Sequence, residues 1–296
     1  MRLFRKSPDI SLATPRPITA DDLTAVSRLL RDGGRRYYGL SGSDLPAILA
    51  RGQGMALVGA GELLAVALVS QPTGTTCWLR GVAVAESGDA RPAIAALLPP
   101  LHQALAARGV RSLYYAGDDG ADHWLAPALV AAGYTVDTEV VVYEKSAPDI
   151  PAAGNPAVVV RPGAPADLEA VLRIDRASFE PHWTKDDTVL GPAIAYGPYF
   201  MVAELDGGPV GYAYATTHFG GRLVHLVRIA VDPRHRGEHI GVRLLADVVT
   251  YAADMGATTI TLNTQAYNTH AQRLYRWFGF VATGERQRVL RGSLPS

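Results

Sequence analysis

The sequence predicts an α/β fold written twice: two tandem domains, each a mixed sheet with helices on both faces. At 296 residues the chain suits two domains of about 150 residues, each able to bury its own core. Three separated stretches recur at a nearly constant offset. RPITADDLTAVSRLL from Arg16 returns as RPGAPADLEAVLRID from Arg161, 161 − 16 = 145. LRGVAVAE from Leu79 returns as LVRIAVDP from Leu226, 226 − 79 = 147, and Gly133-Tyr134 as Gly279-Phe280, 279 − 133 = 146. A single match would be unremarkable, but a shared register is the mark of a repeat. SAPDIPAAGNPA, residues 146–157, is rich in proline, glycine and small residues and reads as an extended connection. The expected domains are 1–148 and 158–296, with a linker at 149–157.

The second copy justifies each element in turn. Asp167 suits a helix start, and Leu168, Val171, Leu172 and Ile174 form the apolar stripe of the helix behind it. YFMVAEL and VGYAYATTHF flank Asp206-Gly207-Gly208, a good hairpin turn. VHLVRIAVDP is a further strand. GVRLLADVVTYAADMG carries apolar residues at Val242, Leu245, Val248, Val249 and Ala252, a helical spacing that Gly256 ends. TTITLNTQ is a strand, THAQRLYRWFG a short helix and FVATGERQRVL a last strand. Strands interleaved with helices imply a sheet covered on both faces.

Composition narrows the function classes. Lys+Arg 28 balance Asp+Glu 28, so no overall field favours nucleic acid or an anionic membrane. Arg286, Arg288 and Arg291 form a basic strand whose ordinary reading is a solvated edge. The single cysteine, Cys77, permits no disulfide within the chain and reads as a small buried hydrophobe. MRLFRKSPDISLATPRP lacks the apolar core of a signal peptide, and runs such as MALVGAGELLAVALV are broken by glycine and Glu62. A cytoplasmic protein without nucleic-acid or membrane partners is expected.

The chemistry concentrates in RHRGEHIG, Arg234–Gly241, between a valine-rich strand and an apolar helix. Amides at a helix start point outward and the helix dipole favours an anion there, while Arg234 and Arg236 add positive charge. An ordinary basic loop is the equal alternative. The order of strand, Asp232-Pro233, Arg-Gly loop and Ile-Gly helix start resembles the acetyl-coenzyme A loop of the GCN5-related N-acetyltransferases. So does the later run Asn268, Ala271, Leu274-Tyr275 and Gly279-Phe280, in the expected order. The resemblance covers residues 158–291. It implies a mostly antiparallel sheet in each domain with two splayed central strands, and acetyl-coenzyme A as acyl donor.

Carried over by position, the resemblance implies that Arg236, Gly237, Glu238, His239, Ile240 and Gly241 cradle the pyrophosphate. His239 stands where the first of two glycines is expected. A side chain is tolerable there if it points to solvent, and costly if the position needs positive φ. The backbone of Arg228, Ile229, Ala230 and Val231 would bond the pantetheine arm, with Leu226, Arg228 and Ala230 sharing one face. Tyr275 matches the tyrosine that protonates the departing thiolate; Asn268 would bind the pantetheine arm, cap the short helix, or do both.

The base is open. ASFEPHW, Ala177–Trp183, extends the resemblance to ribosomal-protein alanine N-acetyltransferases, which carry a glutamate at the position of Asn263 here. Asparagine cannot accept that proton. His225 has the most suitable ordinary pKa; Glu180, His182, Glu204 and water are alternatives, as is a structural role for His225. The first copy has SGDARPAIAALL in place of the loop, with Pro92 in the would-be first turn, and no tyrosine at the place of Tyr275. It is expected to be non-catalytic.

The expected function is acetyl transfer to a primary amine, a small molecule or a peptide N-terminus, by direct attack in the second domain, without a metal. The alternatives are a mycothiol synthase-like acetyltransferase and a non-catalytic acyl-coenzyme A sensor.

Overall fold

A computed structural model describes residues 10–39, 44–85 and 90–295. The first nine residues and residues 87–89 of the SGDARPAIAALL stretch lie outside the described residues. In chain order the elements are β1 (Thr14–Pro17), α1 (Leu23–Asp32), β2 (Arg35–Tyr38), α2 (Leu45–Ala50), β3 (Gly54–Gly59), β4 (Glu62–Val69), β5 (Thr76–Val84), α3 (Arg91–Ala106), β6 (Ser112–Ala116), α4 (Leu125–Ala131) and β7 (Thr135–Lys145). There follow β8 (Val159–Pro162), α5 (Leu168–Ser178), α6 (Asp187–Tyr196), β9 (Tyr199–Leu205), β10 (Gly208–His218), β11 (Leu223–Val231), α7 (Ile240–Asp254), β12 (Thr259–Gln265), α8 (Thr269–Trp277) and β13 (Val281–Ser293).

The chain forms two compact units whose boundaries correct the expected ones. One holds Met1–Thr138 and Gln287–Ser296, the other Glu139–Arg286. The reason is a reciprocal exchange of strand ends. In the first unit β13 completes the sheet by pairing with β6, from Val289 opposite Ala116 to Ser293 opposite Ser112. In the second, β7 pairs with β12, from Val140 opposite Gln265 to Lys145 opposite Ile260. Val289, Leu290 and Leu294 are thereby buried in the first unit, and Val141 and Tyr143 in the second. A strand's partner is set by which edge needs covering, and chain order does not decide that.

Each unit repeats one topology. The first runs β1-β3-β4-β5-β6-β13 and the second β8-β9-β10-β11-β12-β7. Among the described pairings within each unit only β5–β6 and β11–β12 are parallel, so both sheets are mixed and mostly antiparallel. The repeat extends to side chains. Asp22 accepts both nitrogens of the Arg16 fork and the Thr19 amide; Asp167 accepts the Arg161 fork and the Ala164 amide. Each aspartate satisfies a donor at a helix start, and the arginine beside it holds Asp22 down at about 2.

The second unit has two apolar layers. On one face α7 buries Ile240, Leu244, Leu245, Val248 and Val249 with Phe278 and Phe280, each contributing about 1.5–3 kcal/mol. On the other, Val171, Ile174, Leu190 and Ile194 pack on Phe200, Val202 and Tyr212. The turn at Asp206 and Gly207 has φ of 52° and 78°, the two positive values that a tight hairpin requires. Cys77 is buried on β5 and desolvation pushes its thiol up to about 12, as suits a small hydrophobe. Among the described residues no helix is long and apolar enough to cross a membrane.

Candidate active site

In the second unit β11 and β12 pair in parallel only from Leu223–Thr259 to Leu226–Leu262. Beyond that β11 continues to Val231 beside β10 while β12 follows β7, so the two diverge. At the fork Arg228 lies opposite Tyr214 and Leu226 opposite Ala215, leaving Val227 as a bulge. The bulge reverses the side-chain alternation. Leu226 joins the α7-side core while Arg228 and Ala230 face α5, which corrects the expectation that these three share a face.

The Asp232 amide donates to Val210 of the adjoining β10 chain at 2.8 Å. By alternation Ala230 also turns its polar groups to β10, whereas Ile229 and Val231 turn theirs into the gap. Ala230 is therefore not on the open edge. The Ser178 hydroxyl takes the Val231 carbonyl at 3.1 Å, leaving the Ile229 groups and the Val231 amide for a ligand.

The loop after β11 ends where α7 begins. Asp232 accepts the Arg234 amide and side chain, closing one turn. Gly237 has φ of 89° and His239 56°. His239 does occupy a left-handed conformation, the one that disfavours a side chain, although its imidazole is exposed. Helical bonding starts with the Arg243 amide to the His239 carbonyl, so the amides of Ile240, Gly241 and Val242 project from the helix start. The linker braces this loop: the Asn155 amide group donates to the Glu238 carbonyl at 3.0 Å. Gly154, with φ of 79°, lies so close that a Cβ would meet the Arg243 backbone nitrogen at 2.4 Å.

His239→Gly is expected to raise stability by about 1 kcal/mol by relieving the left-handed strain. The urea midpoint reports it, and an unchanged or lower midpoint would refute the strain.

Gly241 joins the pieces. A Cβ there would lie 3.8 Å from both Leu274 of α8 and Val231 of β11, so strand, loop and short helix converge. Asn268 caps α8, accepting the Ala271 amide at 3.2 Å. Tyr275 is buried against Tyr143 and Phe280, with ring centroids 6.2 and 6.1 Å away. Burial pushes its hydroxyl up to about 12, and the charge of Arg228 opposes that rise. The phenol is thus a proton donor at neutral pH.

His225 lies on the paired part of β11, its Nδ1 2.9 Å from the Thr261 hydroxyl. Burial, then His218, lowers its pKa, so the imidazole is neutral near pH 7. The α7-side core takes up Tyr275 together with Val224 and Leu226; alternation puts His225 on the opposite face. Asn263 is exposed on the Thr261 side of β12. Glu204 is engaged by Arg161 at 2.5 Å, and His182 is buried 3.7 Å from Glu180.

Sequence reasoning missed a buried network on the α5 side. Asp175, fully buried, accepts Nε and one terminal nitrogen of Arg228 at 2.8 and 3.0 Å, the Tyr212 hydroxyl at 2.5 Å and the Lys185 amide at 2.7 Å. Arg228 also donates to the Trp183 carbonyl at 2.6 Å and lies 3.4 Å over the Phe179 ring. The only sequence signal was two opposite charges at positions that periodicity assigns to the interior.

The first unit keeps the fork without its equipment. β5 and β6 pair to Trp78–Tyr114 and then part, and β5 carries a matching bulge at Arg80. Leu129 of α4, buried, occupies the place of Tyr275: its carbonyl accepts the Tyr134 amide as that of Tyr275 accepts the Phe280 amide.

The model of the acetyltransferase (GNAT) family matches residues 168–280. An uncharacterized N-acetyltransferase of Methanocaldococcus jannaschii is 31% identical over 124 residues, 42% of this chain and 78% of that one. A putative ribosomal protein bS18-alanine N-acetyltransferase of Bacillus subtilis is 29% identical over 123 residues, 41% of this chain and 79% of the relative. Human N-acetylaspartate synthetase is 34% identical over 119 residues, 40% of this chain; the match spans only 36% of that relative's length. A crystal structure of a GCN5-related N-acetyltransferase from Sphaerobacter thermophilus superposes with a TM-score of 0.61 over 98% of both chains at 17% identity.

Proposed function

Because the chain belongs to the acetyltransferase (GNAT) family, we propose that its second unit moves an acetyl group from acetyl-coenzyme A to a primary amine by direct attack. One observation carries this reading: the open edge of β11, the start of α7 and the short helix α8 that carries Tyr275 converge at Gly241, beside the fork. These residues suit the donor. Ile229 and Val231 offer main-chain groups to an amide-bearing arm, and Arg236 through Gly241 offer amides and positive charge to a pyrophosphate. His239 adds a side chain whose exposed position leaves the amides accessible.

In the proposed reaction the amine nitrogen attacks the thioester carbonyl carbon, the carbon–sulfur bond breaks, and the Tyr275 hydroxyl gives its proton to the sulfur. The proton lost by the amine passes to His225, directly or through water. Acid and base then approach from opposite faces of the sheet. The first unit is non-catalytic in this reading, with Leu129 in the acid's place.

If His225 is the base, kcat/KM rises with pH along a limb centred below the ordinary histidine value of about 6.5, because burial lowers its pKa. His225→Gln removes that limb; an unchanged pH profile in the variant excludes the role.

Calorimetry with acetyl-coenzyme A followed by free-thiol release across an amine panel tests the whole reading. The panel includes aspartate and an alanine-terminated peptide, in view of the relatives' names. Binding with thiol release for one amine class supports transfer; binding without release for any amine favours an acyl-coenzyme A sensor. Absence of binding defeats both.

A further inference from the structure

We infer that the Asp175–Arg228 pair is a positioning device, holding the segment Phe179–Lys185 off the open edge of β11 so that the edge stays free for the donor. This rests on the proposed function for its meaning but not for its geometry.

The segment is tethered at both ends to the pair. Arg228 holds the Trp183 carbonyl and covers the Phe179 ring, and Asp175 holds the Lys185 amide. The first unit shows the same place without the tether. At the repeat offsets Asp175 corresponds to Leu30 (175 − 30 = 145) and Arg228 to Gly81 (228 − 81 = 147). The structure agrees with that alignment. A Cβ on Gly81 would meet Leu68 at 3.3 Å and Leu30 at 3.7 Å, so aliphatic side chains fill the space that the ion pair occupies in the second unit.

Without the pair the corresponding segment has moved onto the strand. Arg35–Tyr38 corresponds to Glu180–Trp183 (180 − 35 = 145), and it forms β2, paired antiparallel along β5 from Arg35–Val84 to Tyr38–Gly81. Those β5 residues correspond to Arg228–Val231 (231 − 84 = 147). The Gly39 amide adds a bond to the Arg80 carbonyl at 2.8 Å. The Tyr37 hydroxyl donates to the carbonyl of Ala116, at the end of β6, at 2.9 Å, which bridges the fork. The edge proposed to receive pantetheine in the second unit is thus taken in the first by the chain itself. Unpaired main-chain groups at a strand edge favour pairing with any nearby extended segment. A loop that must stay off such an edge needs an anchor elsewhere, and Asp175–Arg228 supplies one. Among the described residues the first unit's fork is correspondingly covered by β2.

The test replaces the pair by apolar residues of similar size, Asp175→Leu with Arg228→Met, since removing both charges together leaves neither one buried alone. In the folded double variant, hydrogen exchange at Ile229 and Val231 is expected to slow at least tenfold as the loop adds to the edge. Acetyl-coenzyme A affinity is expected to fall at least tenfold. Exchange that is unchanged or faster overturns the inference, because a merely structural pair would loosen the strand when removed. Should the double variant not fold, Asp175→Asn keeps the volume and is read the same way, with slower exchange expected and unchanged or faster exchange decisive against. Wild-type binding is measured first. Its absence defeats the proposed function, whereas the exchange arm judges the positioning role by itself.

Discussion

A chain ending at Arg286 is expected to lose its first unit rather than its second. The deleted residues include Leu290 and Leu294, buried in the first unit's core, and Val289, which is also buried. At about 1.5–3 kcal/mol each, these three contribute roughly 5–9 kcal/mol, comparable with the 5–15 kcal/mol that holds a typical domain together. Deletion also exposes the β6 edge along Ser112–Ala116, where five residue pairs are lost from Val289–Ala116 to Ser293–Ser112. Hydrogen exchange on the truncated chain should show residues 14–138 unprotected and residues 159–280 still protected. Persistent protection of β5 and β6 would contradict the role assigned to the exchanged strand. A point variant probes the same seam. Gly292 packs beneath Tyr134, whose ring atoms lie 2.4 to 2.7 Å from where a Cβ would stand. Gly292→Val should therefore destabilise the first unit selectively.

Tyr275→Phe is expected to lower kcat by about 10²-fold or more, the usual worth of a positioned proton donor, while acetyl-coenzyme A affinity changes little. The ring stays among Tyr143 and Phe280, so packing is preserved and only the hydroxyl is lost. Because burial holds the hydroxyl up at about 12, the wild-type rate should show no alkaline loss from this group below about pH 10. Turnover equal to wild type in the variant would remove Tyr275 from the mechanism.

Much of this was written in local sequence. The constant offsets, the helical spacing ahead of Gly256 and the strand–loop–helix order at RHRGEHIG determine that two related units exist, and they locate the α7 start and the cap at Asn268. These are short-range facts, set by φ preferences, capping groups and the period of apolar residues. They even posed the question at His239, which the tertiary structure resolves as a true left-handed residue with its ring in solvent.

What only the tertiary structure decided depends on contacts between distant residues. A one-residue bulge at Val227 reverses which side of β11 carries Arg228, and nothing in LVRIAVDP announces it. The last strands cross between units because each sheet edge must be covered, and two copies of one sequence pattern offer equivalent covers. The forks of the two units look alike in sequence until Leu30 and Gly81 are set against Asp175 and Arg228. A buried ion pair forms between residues 53 apart, and only folding brings them within 3 Å. Sequence determined where the strand, loop and short helix of the candidate site lie; the packing of Asp175 and Arg228 distinguishes the open edge of β11 from the covered edge of β5.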